Sequence, residues 1–184
     1  MGHKGNKLRY LSQEEWERLK ETPSDERGKL LLLVLYETGC TVKELVSIRK
    51  QDLGDSTIAI SEECARNHEQ RTVHVSQGLL ARLRSYAADL AAEHETEYVF
   101  STRQSPVMTT KRVRQLVQSY CRKAGLGKEN PQVLRYTHIV HAYQKNIPFE
   151  LIQRQVGLKK SRAVEIYEQL PKKEDMDGYS RFFA

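Results

Sequence analysis

No stretch of this 184-residue sequence is long and apolar enough to cross a bilayer: the longest apolar run, Leu30 to Tyr36, falls far short of the ~20 residues a membrane helix needs. Cysteine is scarce. Cys40, Cys64 and Cys121 are odd in number and widely spaced, and none belongs to a Cys-x-x-Cys pair, so neither a disulfide framework nor a zinc ribbon is supported. Internal repeats, low-complexity tracts and linkers long enough to divide the chain are also missing, which points to one folded unit. His138 and His141 share a helical segment with no third ligand at useful spacing, so no metal is expected. No cofactor is expected either. The first seven residues are polar rather than signal-like. The expectation is a soluble protein of the reducing cytoplasm with no membrane partner.

What the sequence does have is positive charge and helical pattern. Thirty Lys and Arg against 24 Asp and Glu leave a formal charge of +6. That excess favours a polyanionic partner, because each neutralised phosphate releases condensed counterions. The 39% hydrophobic content is enough for a continuous core. Ser12 with Glu15 forms a capping box before Trp16 and Leu19, and Ser24 precedes a second helix that is apolar on all sides from Leu30 to Tyr36. That helix should be central, with Gly39 as its stop. Thr41 with Glu44 then opens a short helix through Leu45 and Ile48.

Two strand-like segments follow, Thr57 to Ile60 and Arg71 to Val75, joined by the charged stretch Ser61 to Gln70. They read as a hairpin with a long tip. The rest is helical: Ser76 to about His94, a helix opened by Thr110 with Val113, Leu116, Val117 and Tyr120 on one face, then Val133 to Lys145, Pro148 to Val156 ended by Gly157, and Ser161 to Leu170. The fold class is mainly α with a small β-hairpin.

In this order the segments resemble the catalytic domain of tyrosine recombinases, the phage integrase and Xer-type family. Tyr10-Leu11-Ser12-Gln13-Glu14-Glu15 is similar to the family's domain start, Tyr36 to Leu45 to its first-arginine box, and Val133-Leu134-Arg135-Tyr136-Thr137 to its second. Ala163-Val164-Glu165-Ile166-Tyr167 resembles the segment that holds the nucleophile. The resemblance covers about residues 9 to 170, leaving 1–8 as a flexible N-terminus and 171–184 as a C-terminal tail. The family's usual N-terminal core-binding domain has no counterpart here, so the sequence is either a whole protein or one domain of a longer integrase.

The resemblance implies metal-free transesterification, in which a tyrosine hydroxyl attacks a DNA phosphodiester and leaves a 3′-phosphotyrosyl bond and a free 5′-hydroxyl. The family surrounds the charged transition state with two arginines, histidine-type hydrogen bonders and a lysine that protonates the leaving oxygen. Position by position the match is uneven. Thr41 stands where the family has its first arginine, Gln132 where it has a histidine, and Leu158 where it has a later histidine or tryptophan. Arg135 and Tyr167 remain. Arg66 stands near the hairpin lysine, but a guanidinium is a poor proton donor. Each lost donor costs about 100- to 1000-fold in rate, so cleavage is expected to be absent or weak unless His68, His74 or Lys43 folds into the space.

The residues also carry plainer readings. Arg135 either centres a phosphate pocket or contacts a helix C-terminus. Tyr167 is either the nucleophile or a core tyrosine on one apolar face with Val164. Lys111, Arg112 and Arg114 on one helix, Arg154, Lys159, Lys160 and Arg162 around the Gly157 turn, and Arg66 and Arg71 at the hairpin are the candidate DNA contacts, together with Arg135. Tyr179, Phe182 and Phe183 in the tail dock either on the chain's own core or into a neighbour, giving a homo-oligomer on double-stranded DNA.

Three functional readings follow, with the nucleoid as the expected location. The first is a DNA-binding member of the family with little or no cleavage, and the second an active recombinase or integrase using Tyr167. The third is a plain helix-turn-helix regulator whose recognition helix is Ser161 to Leu170.

Overall fold

The computed structural model describes residues 8–66, 68–93, 95–102 and 105–170. Helix α1 (Gln13–Lys20) begins with the expected capping box, in which Ser12 accepts from Glu15 N and the Glu15 carboxylate accepts from Ser12 N. Helix α2 (Glu26–Thr38) is the central element, burying Leu30, Leu31, Leu32, Val34 and Leu35. Around it pack α1, α3 (Val42–Val46), α4 (Gln77–Glu93), α5 (Thr110–Lys123) and α6 (Gln132–Gln144). Its N-cap is Asp25 rather than the neighbouring Ser24, with Oδ1 accepting from Gly28 N at 2.7 Å. A carboxylate there also faces the positive end of the helix dipole.

Helix α2 ends at Gly39, whose φ is 61°. A Cβ at this position would lie 2.5 Å from Val156 Cγ1 and 3.2 Å from the His138 ring. Glycine is therefore required twice, for the left-handed backbone and for the close approach of α6 and α7. Strands β1 (Thr57–Ile60) and β2 (Arg71–His74) pair antiparallel, with Thr57 opposite His74 and Ile60 opposite Arg71. Val75 lies just past the ladder, and the short 3₁₀ turn at Lys50–Asp52 was not anticipated. Helices α7 (Phe149–Val156) and α8 (Lys160–Tyr167) are the last elements among the described residues, α8 starting and stopping earlier than its sequence pattern implies.

The apolar interior has two parts. The larger joins Leu11, Trp16 and the α2 leucines to Ile58, Val73, Val113 and Leu134; the smaller joins Ile139, Val140, Ile152, Val156, Leu158, Ala163 and Ile166. Helix α6 contributes to both, and Arg135 falls where it passes from one to the other. His141 is occupied structurally: its Nε2 pairs with Leu11 O at 3.0 Å and its Nδ1 with the Tyr36 hydroxyl at 3.0 Å. Burial lowers its pKa. Among the described residues no group of three His, Cys, Asp or Glu side chains could hold a metal ion, and no helix is long and apolar enough to cross a membrane.

Candidate nucleic-acid interface

Glu44 organises the site. Thr41 Oγ1 accepts from Glu44 N at 3.2 Å and Glu44 Oε2 accepts from Thr41 N at 2.6 Å, completing the second capping box. The other carboxylate oxygen, Oε1, accepts from Arg66 N at 3.1 Å and from Arg71 Nη1 at 2.8 Å. Glu44 is wholly buried. Burial alone would raise its pKa, but the Arg71 hydrogen bond and charge, with the two backbone N–H groups, outweigh it and hold the carboxyl below its ordinary range.

Arg71, a candidate DNA contact at the hairpin, is a largely buried tie whose Nη2 has no partner among the described residues. Besides Glu44 it donates through Nε to Gln155 O at 3.1 Å, at the end of α7. Gly157, with φ 66°, lies directly against this guanidinium: a Cβ there would be 2.9 Å from Arg71 Cζ and Nη1. The Gln155 side chain adds to the tie, accepting from His74 N at 2.9 Å and donating to His74 O at 2.7 Å. Helix α3, strand β2 and the end of α7 are thus locked to one another.

Arg135 is 3% exposed. Its Nη1 donates to Gly39 O at 2.6 Å, at the C-cap of α2, whereas Nη2 has no protein partner among the described residues. The helix-terminus reading of this arginine therefore describes one of its nitrogens and leaves the other available. Burial pushes the guanidinium down to about 10; Glu44 opposes that shift, and Arg71 and Arg66 add to it. Beside Arg135 opens a pocket of about 250 Å³ whose lining includes Thr41, Lys43, Arg66, Arg114 and Gln132, and no carboxylate. Lys43 Nζ donates to Glu63 O at 3.1 Å and Arg114 Nη1 to Thr110 Oγ1 at 3.3 Å. Among the described residues, Lys43, Arg66 and Arg114 form no ion pair. A buried, unmatched guanidinium N–H in a cationic pocket is suited to an oxyanion, which would supply a charge-assisted acceptor.

The remaining candidates are dispersed. Gln132 Nε2 donates to the Tyr136 hydroxyl, which also accepts from Arg162 Nη2 at 3.0 Å, and Arg162 pairs in turn with Glu165. Leu158 is buried in the smaller core. Lys111, Arg112, Arg154, Lys159 and Lys160 are exposed. Arg112 lines a different pocket, with Asp25 and Asp89, so of the three basic residues opening α5 only Arg114 reaches the Arg135 pocket. His68 and His74 do not line that pocket and Lys43 does.

Tyr167 is 50% exposed, its ring set edge-on to Phe149 at 5.0 Å and Tyr143 at 6.0 Å. It lines a separate pocket with Ile147, Phe149 and Lys160. The apolar face proposed for Val164 and Tyr167 is one residue out of phase, since Ala163 and Ile166 are the buried pair and Val164 is 59% exposed. A helix of eight residues gives too short a pattern to fix the phase. The tail aromatics Tyr179, Phe182 and Phe183 lie outside the described residues. The central role of Glu44 was missed in the sequence, where the capping box accounts for only one of its two oxygens.

This arrangement of helices, hairpin and buried arginine is matched by a known family. Residues 9–174 match the phage integrase family, and the chain belongs to it. Among curated relatives, the tyrosine recombinase XerA of Pyrococcus furiosus is 27% identical over 174 residues, covering 93% of this chain and 60% of the relative. Transposase A from transposon Tn554 of Staphylococcus aureus is 23% identical over 168 residues, covering 84% of this chain and 46% of that protein. The chain thus spans about 60% or less of the length of these relatives. The fold matches the crystal structure of XerA recombinase with a TM-score of 0.78 at 27% identity, covering 96% of this chain and 66% of the other. It also matches XerH site-specific recombinase bound to its difH substrate, with a TM-score of 0.77 at 20% identity, covering 97% of this chain and 55% of that one.

Proposed function

We propose that this chain is a DNA-binding domain that grips the backbone of double-stranded DNA at Arg135, with strand cleavage absent or weak. The observation that carries the reading is the buried Arg135 guanidinium, tied to Gly39 O on one side and left with an unmatched Nη2 beside a cation-lined pocket. A DNA phosphodiester offers the anionic oxygens that such a group lacks. Weak cleavage is supported by the same surroundings. Thr41 is held in its capping box, Gln132 is bonded to Tyr136, and Leu158 belongs to the apolar core. Three positions that the family resemblance assigns to transition-state stabilisation are therefore committed elsewhere, and one such loss costs about 100- to 1000-fold. Arg66 keeps a positive charge in the pocket but is a poor acid.

The active recombinase is the second reading. It is favoured by the half-exposed Tyr167, whose hydroxyl makes no protein hydrogen bond among the described residues, and by Lys43 in the pocket lining. One assay separates the two: nicked duplex DNA containing the target is incubated with the wild type and with Tyr167→Phe, then run on denaturing and native gels. A salt-sensitive native shift without a denaturation-resistant adduct is the expected result. An adduct that the Phe variant abolishes would overturn the leading reading in favour of the second. The absence of any shift would remove DNA from the account. The helix-turn-helix reading has less support, since it leaves out the hairpin that the Arg71 and Gln155 ties bind to α7.

Assembly on DNA through the tail belongs to the same proposal. Ile147, Val164 and Tyr167 are exposed around one pocket and offer an apolar acceptor. Replacing Phe182 and Phe183 by Ala is expected to reduce cooperative binding to a two-site duplex while sparing single-site binding.

A further inference from the structure

We infer that Arg114, with Lys43 beside it, provides the second cationic grip on the bound phosphate, the one that Thr41 leaves unfilled. The inference rests on the DNA-phosphate reading of Arg135 and deepens it. Thr41 is short and its hydroxyl already accepts from Glu44 N, so no cation reaches the pocket from that position. Arg114 comes to the same pocket from α5, and Lys43 comes from α3 two residues beyond Thr41. Neither has a carboxylate partner among the described residues. Among the described residues, the Arg114 guanidinium is held by a 3.3 Å contact with the Thr110 hydroxyl one turn back on its own helix. Turning toward a phosphate would break one neutral hydrogen bond and form a charge-assisted one, an exchange that favours the anion.

Like charges make the case stronger. Arg135 is pushed down first by burial; Glu44 opposes that shift, and the charges of Arg71 and Arg66 add to it. Arg114 and Lys43 bring further positive charge to this pocket, and an anion placed among them relieves the mutual repulsion. The pocket is therefore arranged to hold a phosphate from two elements, α6 through Arg135 and α5 through Arg114. The family position at residue 41 is not needed for binding.

The test is a salt titration of binding to a fluorescein-labelled duplex, read by anisotropy for wild type, Arg114→Ala, Arg18→Ala, Thr41→Arg and the Thr41→Arg/Arg114→Ala pair. Arg18 is an exposed cation on α1, so its loss controls for net charge alone. Arg114→Ala is expected to weaken binding on the order of tenfold at about 0.1 M salt and to reduce the slope of log K against log salt by about one. Arg18→Ala is expected to leave the slope unchanged. Thr41→Arg is expected to restore affinity in the Arg114→Ala background.

Equal effects of Arg114→Ala and Arg18→Ala would overturn the inference while leaving the DNA reading intact, provided the wild type binds and Arg135→Ala does not. No binding by the wild type would sink both. Thermal melts identify any variant that fails to fold, and if Thr41→Arg is one of them the comparison of Arg114 with Arg18 still decides.

Discussion

Around Arg135, a buried network ties several elements together: Glu44 holds the Arg66 backbone and Arg71, Arg71 holds the end of α7, and Arg135 itself holds the end of α2. Tyr167 stands on a helix of eight residues and packs edge-on against two aromatic rings, with half of the tyrosine exposed. The first region fixes the Arg135 guanidinium before any ligand arrives, so engaging that group loses little conformational freedom. The second supplies a hydroxyl that makes no hydrogen bond among the described residues. The proposed phosphate grip and the candidate nucleophile thus rest on separate interactions, and one can weaken while the other persists. The difference explains how binding and cleavage can come apart in one fold.

The largest effect that would test this contrast is on stability. Glu44→Ala strands the Arg71 guanidinium and leaves Arg66 N without its acceptor, and breaking a buried pair from one side costs about 3–5 kcal/mol. Urea denaturation should show a loss of that size, together with loss of DNA binding. A loss no larger than that of an exposed substitution would mean that the buried network does not hold the pocket together.

Gly157→Ala comes next. It asks a β-carbon to adopt φ 66° and to sit 2.9 Å from a guanidinium that Glu44 and Gln155 hold in place. Left-handed strain and overpacking together give about 1–3 kcal/mol. A cost below about 0.5 kcal/mol would show that Arg71 yields freely and that the tie to α7 is loose.

Much of this frame was legible in the sequence, and the part that was not has a physical reason. The Thr41 and Glu44 box and the Gly39 stop are local features, settled within four or five residues, and the hairpin joins neighbouring segments. The role of Arg71 is not local: its partners Glu44 and Gln155 lie 27 and 84 residues away, and an arginine beside a charged loop looks the same in sequence whether it faces DNA or a buried carboxylate. Arg112 and Arg114 pose the same problem on a helix. Two residues apart, they point about 200° from one another, but only the packing of α5 decides which faces Arg135. The aromatic neighbours of Tyr167 depend on α6 and α7 and leave no local trace.

A smaller effect concerns acid. Burial lowers His138 to about 4, whereas in the unfolded chain it titrates near ~6.5. Between those values the unfolded state binds the extra proton, so stability falls as pH drops through this window, by at most about 1.4 kcal/mol per pH unit. The residue is only partly buried, which reduces the slope. Glu44 acts in the same direction at lower pH: its contribution is present above the unfolded carboxylate value and is lost as pH falls through its depressed folded value. Denaturation curves from pH 7 to pH 4 should flatten in His138→Gln, and an unchanged slope would assign the acid sensitivity elsewhere.

The smallest expected effect is the most pointed. Tyr167→Phe removes a hydroxyl that makes no protein hydrogen bond among the described residues and keeps the ring packed on Tyr143 and Phe149. It should change stability by less than about 0.5 kcal/mol, as for surface changes away from any network, and should leave the salt dependence of DNA binding untouched. If affinity fell with the hydroxyl, Tyr167 would belong to the phosphate-binding region after all. The separation between the two regions would then hold only for the unbound chain, with DNA drawing α8 toward Arg135.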